Sequence, residues 1–237
     1  MNVGIGDLRA YSDQRIVGYR LVNSKFPPIH LFDDVATPEE FEDLYEIQAL
    51  TNPRLQSEVG NLNLLPISEV PFGISGCHYA AAPFTHVNPN GTRFSAGSFG
   101  LMYIGDTSET AQKEVKHHQN IYWRNVAGLH YDRFVFKELI CTFGIKTGLD
   151  ATHIPITDPI YSPDNYAYSQ TLGHEIKTAG LYSALKFRSV RNHQGICFAL
   201  FTPKEVQEII QSKHYEMIWD GHSISSVNIL TTVTTSY

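Results

Sequence analysis

Cysteine is scarce in this chain: Cys77, Cys141 and Cys197 are the only three, far apart and odd in number. That argues against a disulfide framework and for reduced thiols, and without a CxxC or a His/Cys cluster no metal site is expected. No apolar run reaches the roughly 20 residues that a membrane-spanning helix needs. The first residues lack a charged start followed by an apolar run, so no signal peptide is expected and a cytoplasmic protein is. Basic runs are missing too, and the net charge is −6. Direct nucleic-acid binding is therefore not the expected main business, because nothing in the sequence would displace counterions from phosphate. There is no internal repeat and no low-complexity linker. No GxGxxG opens a helix: Gly97-Ser98-Phe99-Gly100 has part of that spacing but precedes a strand, which argues against a Rossmann dinucleotide site.

What is present is ordinary for a globular protein. The 237 residues, 42% hydrophobic and 18% charged, suit one domain with a sizeable core. IVGYRLV (16–22) reads as a first strand carrying Arg20. Thr37-Pro38-Glu39-Glu40 is a strong helix start, with the helix running through Phe41, Leu44, Tyr45 and Gln48 to Asn52-Pro53. Residues 61–90 read as loops with one short strand, Cys77–Ala81. Phe134–Lys146 is strand-like, Ser162-Pro163-Asp164 opens a helix that ends near Gly180, and Ala184–Val190 and GICFALF are strands. Pro203–Ile210 reads as a short helix and Val227–Thr234 as a terminal strand. Strands and helices interspersed without a βαβ repeat imply an α+β fold with mixed or antiparallel sheets.

The chemistry gathers in Gly91–His118, GTRFSAGSFGLMYIGDTSETAQKEVKHH. Arg93 lies in a Gly/Ser-rich turn. Tyr103 lies in a short apolar strand, Leu101–Ile104, which Gly105–Asp106 ends. Thr107 or Ser108 can cap the following helix, with Asp106 and Glu109 near its positive end. Ala111, Val115 and His118 make its inward stripe, and Glu114 falls on the same face. A carboxylate there is costly unless it is paired in an ion pair or used in a site. Taken alone, Arg20 reads equally as a strand-edge cation, Ser189 as a structural serine at a strand end, and His86 as a loop histidine close in sequence to Arg93.

Arginine, tyrosine and glutamate on loop, strand and helix resemble the RES-domain toxins, named for an arginine, a glutamate and a serine. GLMYIGDTSETAQKEVKHH is similar to that family's central block. SQTLGHEIKTAGLYSALKFRSVRNHQGICFALFTP is similar to its serine region, with Ser189 as the family serine. The run YRLVNSKFPPIHLFDDVATPEEFEDLYEIQALTNPRL resembles the leading segment of longer members. The family commonly has Tyr-Pro before the serine, where this chain has Phe187-Arg188. The resemblance spans most of residues 16–203. It implies a single RES-like domain over 1–237, with a leading segment 1–90, a catalytic core of about 91–203 and a C-terminal helix and strand over 204–237. The implied fold is like that of diphtheria-toxin-like ADP-ribosyltransferases, built around a NAD cleft.

The same resemblance implies NAD+ as substrate, no metal, a neutralising Xre-type antitoxin that supplies the DNA contact, and homo-oligomers in complex with that antitoxin. Cleaving the nicotinamide–ribose bond passes through an electron-poor ribose, as in glycoside cleavage. Glu114 suits the carboxylate such a site wants, Arg93 the guanidinium for the phosphates, and Tyr103 an aromatic face for the cationic ring. Ser189 suits a hydrogen bond to the amide or ribose, and Arg20 a second phosphate contact. The acceptor is left open: water or phosphate would make a NAD-degrading enzyme, a protein side chain an ADP-ribosyltransferase. Two other classes remain, a serine hydrolase built on Ser189 and a non-catalytic binding module. The first lacks G-x-S-x-G, and the second is disfavoured because all three name-giving residues are present.

Overall fold

The longest strands form where β-branched and aromatic residues run together, and they decide the architecture. In the computed structural model, which describes residues 3–24, 37, 40 and 60–231, seven strands share one sheet. They are β1 (Arg9–Asn23), β2 (Met102–Gly105), β3 (Asp132–Asp150), β4 (Ala184–Arg188), β5 (Ile196–Leu200), β6 (Val206–Trp219) and β7 (Ile224–Leu230). Their order is β1-β2-β5-β4-β3-β6-β7, and β1 also pairs with β3, so the first five strands in that order close on themselves. β3 and β4 run parallel and the other neighbours antiparallel. Three helices accompany the sheet among the described residues: α1 (Cys77–Thr85), α2 (Ser108–Arg124) and α3 (Ala167–Ala179). The fold is the α+β mixed-sheet class that the interspersed pattern implies.

Strand alternation sorts the core. Met102 and Ile104 of β2, Leu139, Cys141 and Phe143 of β3, and Phe198 and Leu200 of β5 turn to one side and meet Cys77, Ala80, Ala81 and Phe84 of α1. On the other side Leu185, Cys197 and Ala199 pack with Phe94 and with Leu172 and Ile176 of α3, with Tyr103 beside them. A further cluster on that side joins Ala111 and Trp123 of α2 to Leu21, Phe136, Met217 and Trp219. Trp123 stacks on Phe134 with centroids 3.8 Å apart, and the Trp219 indole N–H donates to the Leu129 carbonyl at 2.9 Å. The buried Trp219 thus keeps its polar atom satisfied while filling volume. α2 and α3 therefore rest on separate apolar patches of the same side of the sheet.

Several elements differ from the expectation. Cys77–Ala81 is not a strand but the start of α1. Gly76 in the left-handed region (φ 74°) turns the chain into it, and Ala80-Ala81-Ala82 favours helix. A short apolar run carries no period that separates the two states. Pro203–Ile210 is not a helix: Thr202 caps one 3-10 turn, Pro203–Glu205, and Val206, Ile209 and Ile210 then carry the chain into β6. The segment after residue 203 thus holds two strands, in place of a helix and a strand. α3 begins at Ala167, not Ser162, because Ser162 Oγ accepts from Asn165 N (3.2 Å) and Asn165 Oδ1 accepts from Ala167 N (3.0 Å), using those residues in turns. Thr37 Oγ1 accepts from Glu40 N at 3.2 Å, as its capping role requires, while the helix expected over Phe41–Gln48 lies outside the described residues. β7 starts at Ile224, earlier than expected; the end of the expected strand falls beyond residue 231, outside the described residues.

Candidate active site

Glu114 and Ser189 are 75 positions apart in the chain and touch in the fold. Thr107 caps α2 through its side chain, which accepts from Thr110 N, and the helix then carries Glu114 inward about two turns after the cap. β4 delivers Ser189 at its end. The Ser189 hydroxyl donates to Glu114 Oε1 at 2.5 Å and accepts from the backbone N–H groups of Arg191 (3.1 Å) and Asn192 (2.9 Å). Those three bonds commit the hydroxyl and hold the 189–192 turn against the helix. Asn192 adds to the grip by donating to Thr110 Oγ1 (2.9 Å) and accepting from Lys113 Nζ (3.2 Å). Ser189 is only 2% exposed, and the Cys197 thiol lies 3.9 Å from the same Glu114 oxygen. Burial, with the Glu114 carboxylate beside it, pushes that thiol well above its ordinary range, so it stays protonated. Glu114 Oε2 has no partner among the described residues, and neither does the carboxylate pair with any cation there.

Arg93 sits in a turn held by its neighbours on both sides. Tyr103 Oη bonds to Thr92 Oγ1 (2.9 Å) and accepts from Phe94 N (3.0 Å). Gln170 of α3 donates to the Thr92 carbonyl at 3.0 Å. The guanidinium then passes under the 160–163 segment: Nη1 donates to the carbonyls of Ile160 (3.2 Å) and Ser162 (2.9 Å), and the group lies 4.6 Å over the Tyr166 ring. Arg93 is 9% exposed. Burial lowers its affinity for the proton, an effect that Tyr166 and Glu114 offset only in part and that Arg191 reinforces. Tyr103 faces Phe187 edge-on at 6.4 Å, and burial raises its phenol to about 12. It is held as a neutral hydrogen-bonding post for the arginine turn.

α3 touches this turn at Gly173, where an added Cβ would fall 1.9 Å from the Phe94 carbonyl oxygen. Gly173→Ala is therefore expected to cost about 2 kcal/mol or more of stability, since backbone rather than a flexible side chain must yield. Thermal melting of the purified variant checks this, and an unshifted melting temperature would count against the close packing of α3 on the turn.

Arg191 and His117, not singled out by the sequence reading, complete the cluster. Arg191 donates through Nη2 to the Pro163 carbonyl, so two guanidiniums hold one loop. His117 and His118 follow Glu114 on α2, their rings edge to face at 5.3 Å. His118 is exposed and does not complete the inward stripe, which continues from Ala111 and Val115 to Trp123 instead. Burial, followed by Arg191, depresses the His117 imidazole to about 4, leaving it neutral near pH 7. A concavity of about 400 Å³ lies against the same loop, lined among others by Ile156, Thr157, Ser162, Asn165 and Tyr168.

Arg20 is not brought to Glu114. In β1 it pairs with Leu139 and shares the sheet side of Cys141, opposite α2, and its Nη1 donates to the Tyr103 carbonyl at 2.9 Å. Burial lowers its proton affinity, and the groups that act on it are Cys141 and Tyr103, not the site carboxylate. His86 follows α1, its ring beside the Ala82 carbonyl (3.3 Å), on the far side as well. Among the described residues no three His, Cys, Asp or Glu side chains group as a metal site, and no helix is long and apolar enough to cross a membrane.

The RES domain family model matches residues 70–220, more than half of the chain, and the chain belongs to that family. The uncharacterized protein y4oC of Sinorhizobium fredii (strain NBRC 101917 / NGR234) is 26% identical over 212 residues, covering 87% of this chain and 84% of that one. Among solved structures, a chain of the M. tuberculosis MbcT-MbcA toxin-antitoxin complex is similar with a TM-score of 0.43 and 10% identity, over 86% of this chain and 87% of that chain.

Proposed function

We propose that this chain is a RES-domain toxin that binds NAD+ and cleaves its nicotinamide–ribose bond. The observation that carries the reading is the Ser189–Glu114 bond: it fixes a carboxylate through Oε1 beside the buried Arg93 and leaves Oε2 for a ligand. Breaking the bond sends its electron pair to the nicotinamide nitrogen, which leaves neutral, and C1′ of the ribose becomes electron-poor. Glu114 Oε2 accepts a ribose hydroxyl and favours that developing charge, and Ser189 keeps the carboxylate aimed. Arg93 takes the substrate's phosphates with the guanidinium nitrogens not engaged by Ile160 and Ser162. Tyr103 acts by holding the turn that presents Arg93. An oxygen of water or phosphate then bonds to C1′, giving ADP-ribose or its 1″-phosphate, with the proton released to solvent.

Transfer to a protein side chain is the second reading, with the same bond breaking and a different acceptor. A serine hydrolase is disfavoured because the Ser189 hydroxyl donates to a carboxylate and not to an imidazole. An enzyme that consumes NAD+ must be restrained in its own cell, and the Xre-type antitoxin is the proposed partner. Incubation of the pure protein with NAD+ tests the proposal. Free nicotinamide without labelled protein is the expected result, label on a protein points to transfer, and no nicotinamide at all removes the assignment. Normal growth of cells expressing this chain alone at high level, with undiminished NAD+, would count against the antitoxin.

A further inference from the structure

Arg93 and Arg191 approach one short loop from different parts of the chain, and each is anchored there through carbonyl oxygens: Ile160 and Ser162 for the first, Pro163 for the second. Neither forms an ion pair with a carboxylate among the described residues. Each raises the cost of protonating groups near it, including, for Arg191, Arg93 itself. Holding two guanidiniums together costs Coulomb energy, which a polyanionic ligand between them would reverse. The cluster also has unmet hydrogen-bonding groups: Arg191 Nε and His117 Nε2 are shut off from solvent without a partner. His117 is neutral near pH 7, so it adds a hydrogen bond and no third charge. The remaining carboxylates acting on the cluster are Glu114, whose Oε1 is tied to Ser189, and Asp164.

Resting on the NAD+ reading of the site, we infer that Arg93 and Arg191 form a two-guanidinium clamp for a diphosphate, one guanidinium for each phosphate, with His117 beside it. Arg191, and not Arg20, is the second phosphate contact. The substrate class that follows is a nucleoside diphosphate joined to ribose; a nucleoside or a mononucleotide would leave one guanidinium unanswered. Each planar fork can bind two phosphate oxygens at once, which a lysine cannot.

The test compares the parent, Arg191→Lys and Arg191→Gln with three probes: ADP-ribose in binding calorimetry, and NAD+ and nicotinamide riboside in nicotinamide release. Melting curves confirm that each variant is folded; should Arg191→Gln fail to fold, Arg191→Lys carries the comparison. Expected are a loss of ADP-ribose affinity of about tenfold or more in both variants, a matching rise in KM for NAD+ with a smaller effect on kcat, and no change with the phosphate-free riboside. Unchanged ADP-ribose affinity, or an equal loss with the riboside, overturns the clamp. If the parent releases nicotinamide while Arg191→Gln binds ADP-ribose as well as the parent, the clamp falls and the NAD+ reading stands. If ADP-ribose binding depends on Arg191 but no nicotinamide is released, the clamp stands and the cleavage reading falls.

Discussion

Glu114→Gln is expected to fold like the parent and to lose about a hundredfold or more in nicotinamide release from NAD+. The glutamine carbonyl can still accept from the Ser189 hydroxyl, which holds Oε1 at 2.5 Å in the parent. Among the described residues no cation lies within ion-pair distance of Glu114, so the change breaks no ion pair and removes only the longer-range support that the carboxylate gives the buried Arg93. What disappears is negative charge at the free oxygen, where the electron-poor ribose develops. About 3 kcal/mol of lost electrostatic stabilisation corresponds to the stated factor. NAD+ affinity should change less than turnover, because the lost interaction is strongest in the transition state. Toxicity in cells should vanish with the turnover. A folded variant that releases nicotinamide at the parent rate would remove Glu114 from the mechanism and take the assignment with it.

Local signals in the chain identify α2 and its carboxylate well. Thr107, the turn at Gly105–Asp106 and the stripe through Ala111 and Val115 place Glu114 inward, and the structure has them so. The Tyr103 strand was equally legible, because four apolar residues ending at a glycine turn admit few alternatives. What spacing cannot show is which distant side chain meets which. Arg20 and Arg191 look alike in sequence, but alternation in β1 sends Arg20 to the side of Cys141, while the turn after β4 brings Arg191 to the loop that Arg93 holds. The signal for Arg191 was present in the SVR text that carries Ser189, and only the turn geometry gives it meaning. β6 escaped for a different reason. A cap and a proline start a helical turn as well as a helix, and the β-branched residues behind them decide which follows. Sheet partners supply that decision, and they lie far off in the chain: β6 pairs with β3, Phe143 opposite Val206.

Arg93→Lys is expected to weaken both the site and the fold, and so to behave unlike a change in an open cleft. The guanidinium is 9% exposed, donates from one nitrogen to two carbonyls and lies over the Tyr166 ring. A lysine ammonium keeps the charge but has neither the planar face for Tyr166 nor a second nitrogen to offer a ligand once the carbonyls are served. Hydrogen bonds to charged groups contribute about 1.5–3 kcal/mol, and a carbonyl left unpaired in a buried loop adds to the loss. A stability decrease of about 2 kcal/mol follows, which for a chain of this size lowers the melting temperature by roughly 4–8 °C. The loop over residues 160–163 loses one of its two anchors, while Arg191 still holds Pro163. ADP-ribose affinity should fall by about tenfold or more, because the two-point contact with phosphate goes with the fork. Thermal melting and calorimetry with ADP-ribose on the same preparation separate the two effects. An unshifted melting curve would mean the carbonyl contacts carry no stability. Parent-like ADP-ribose affinity in a folded variant would reduce Arg93 to a strut for the loop.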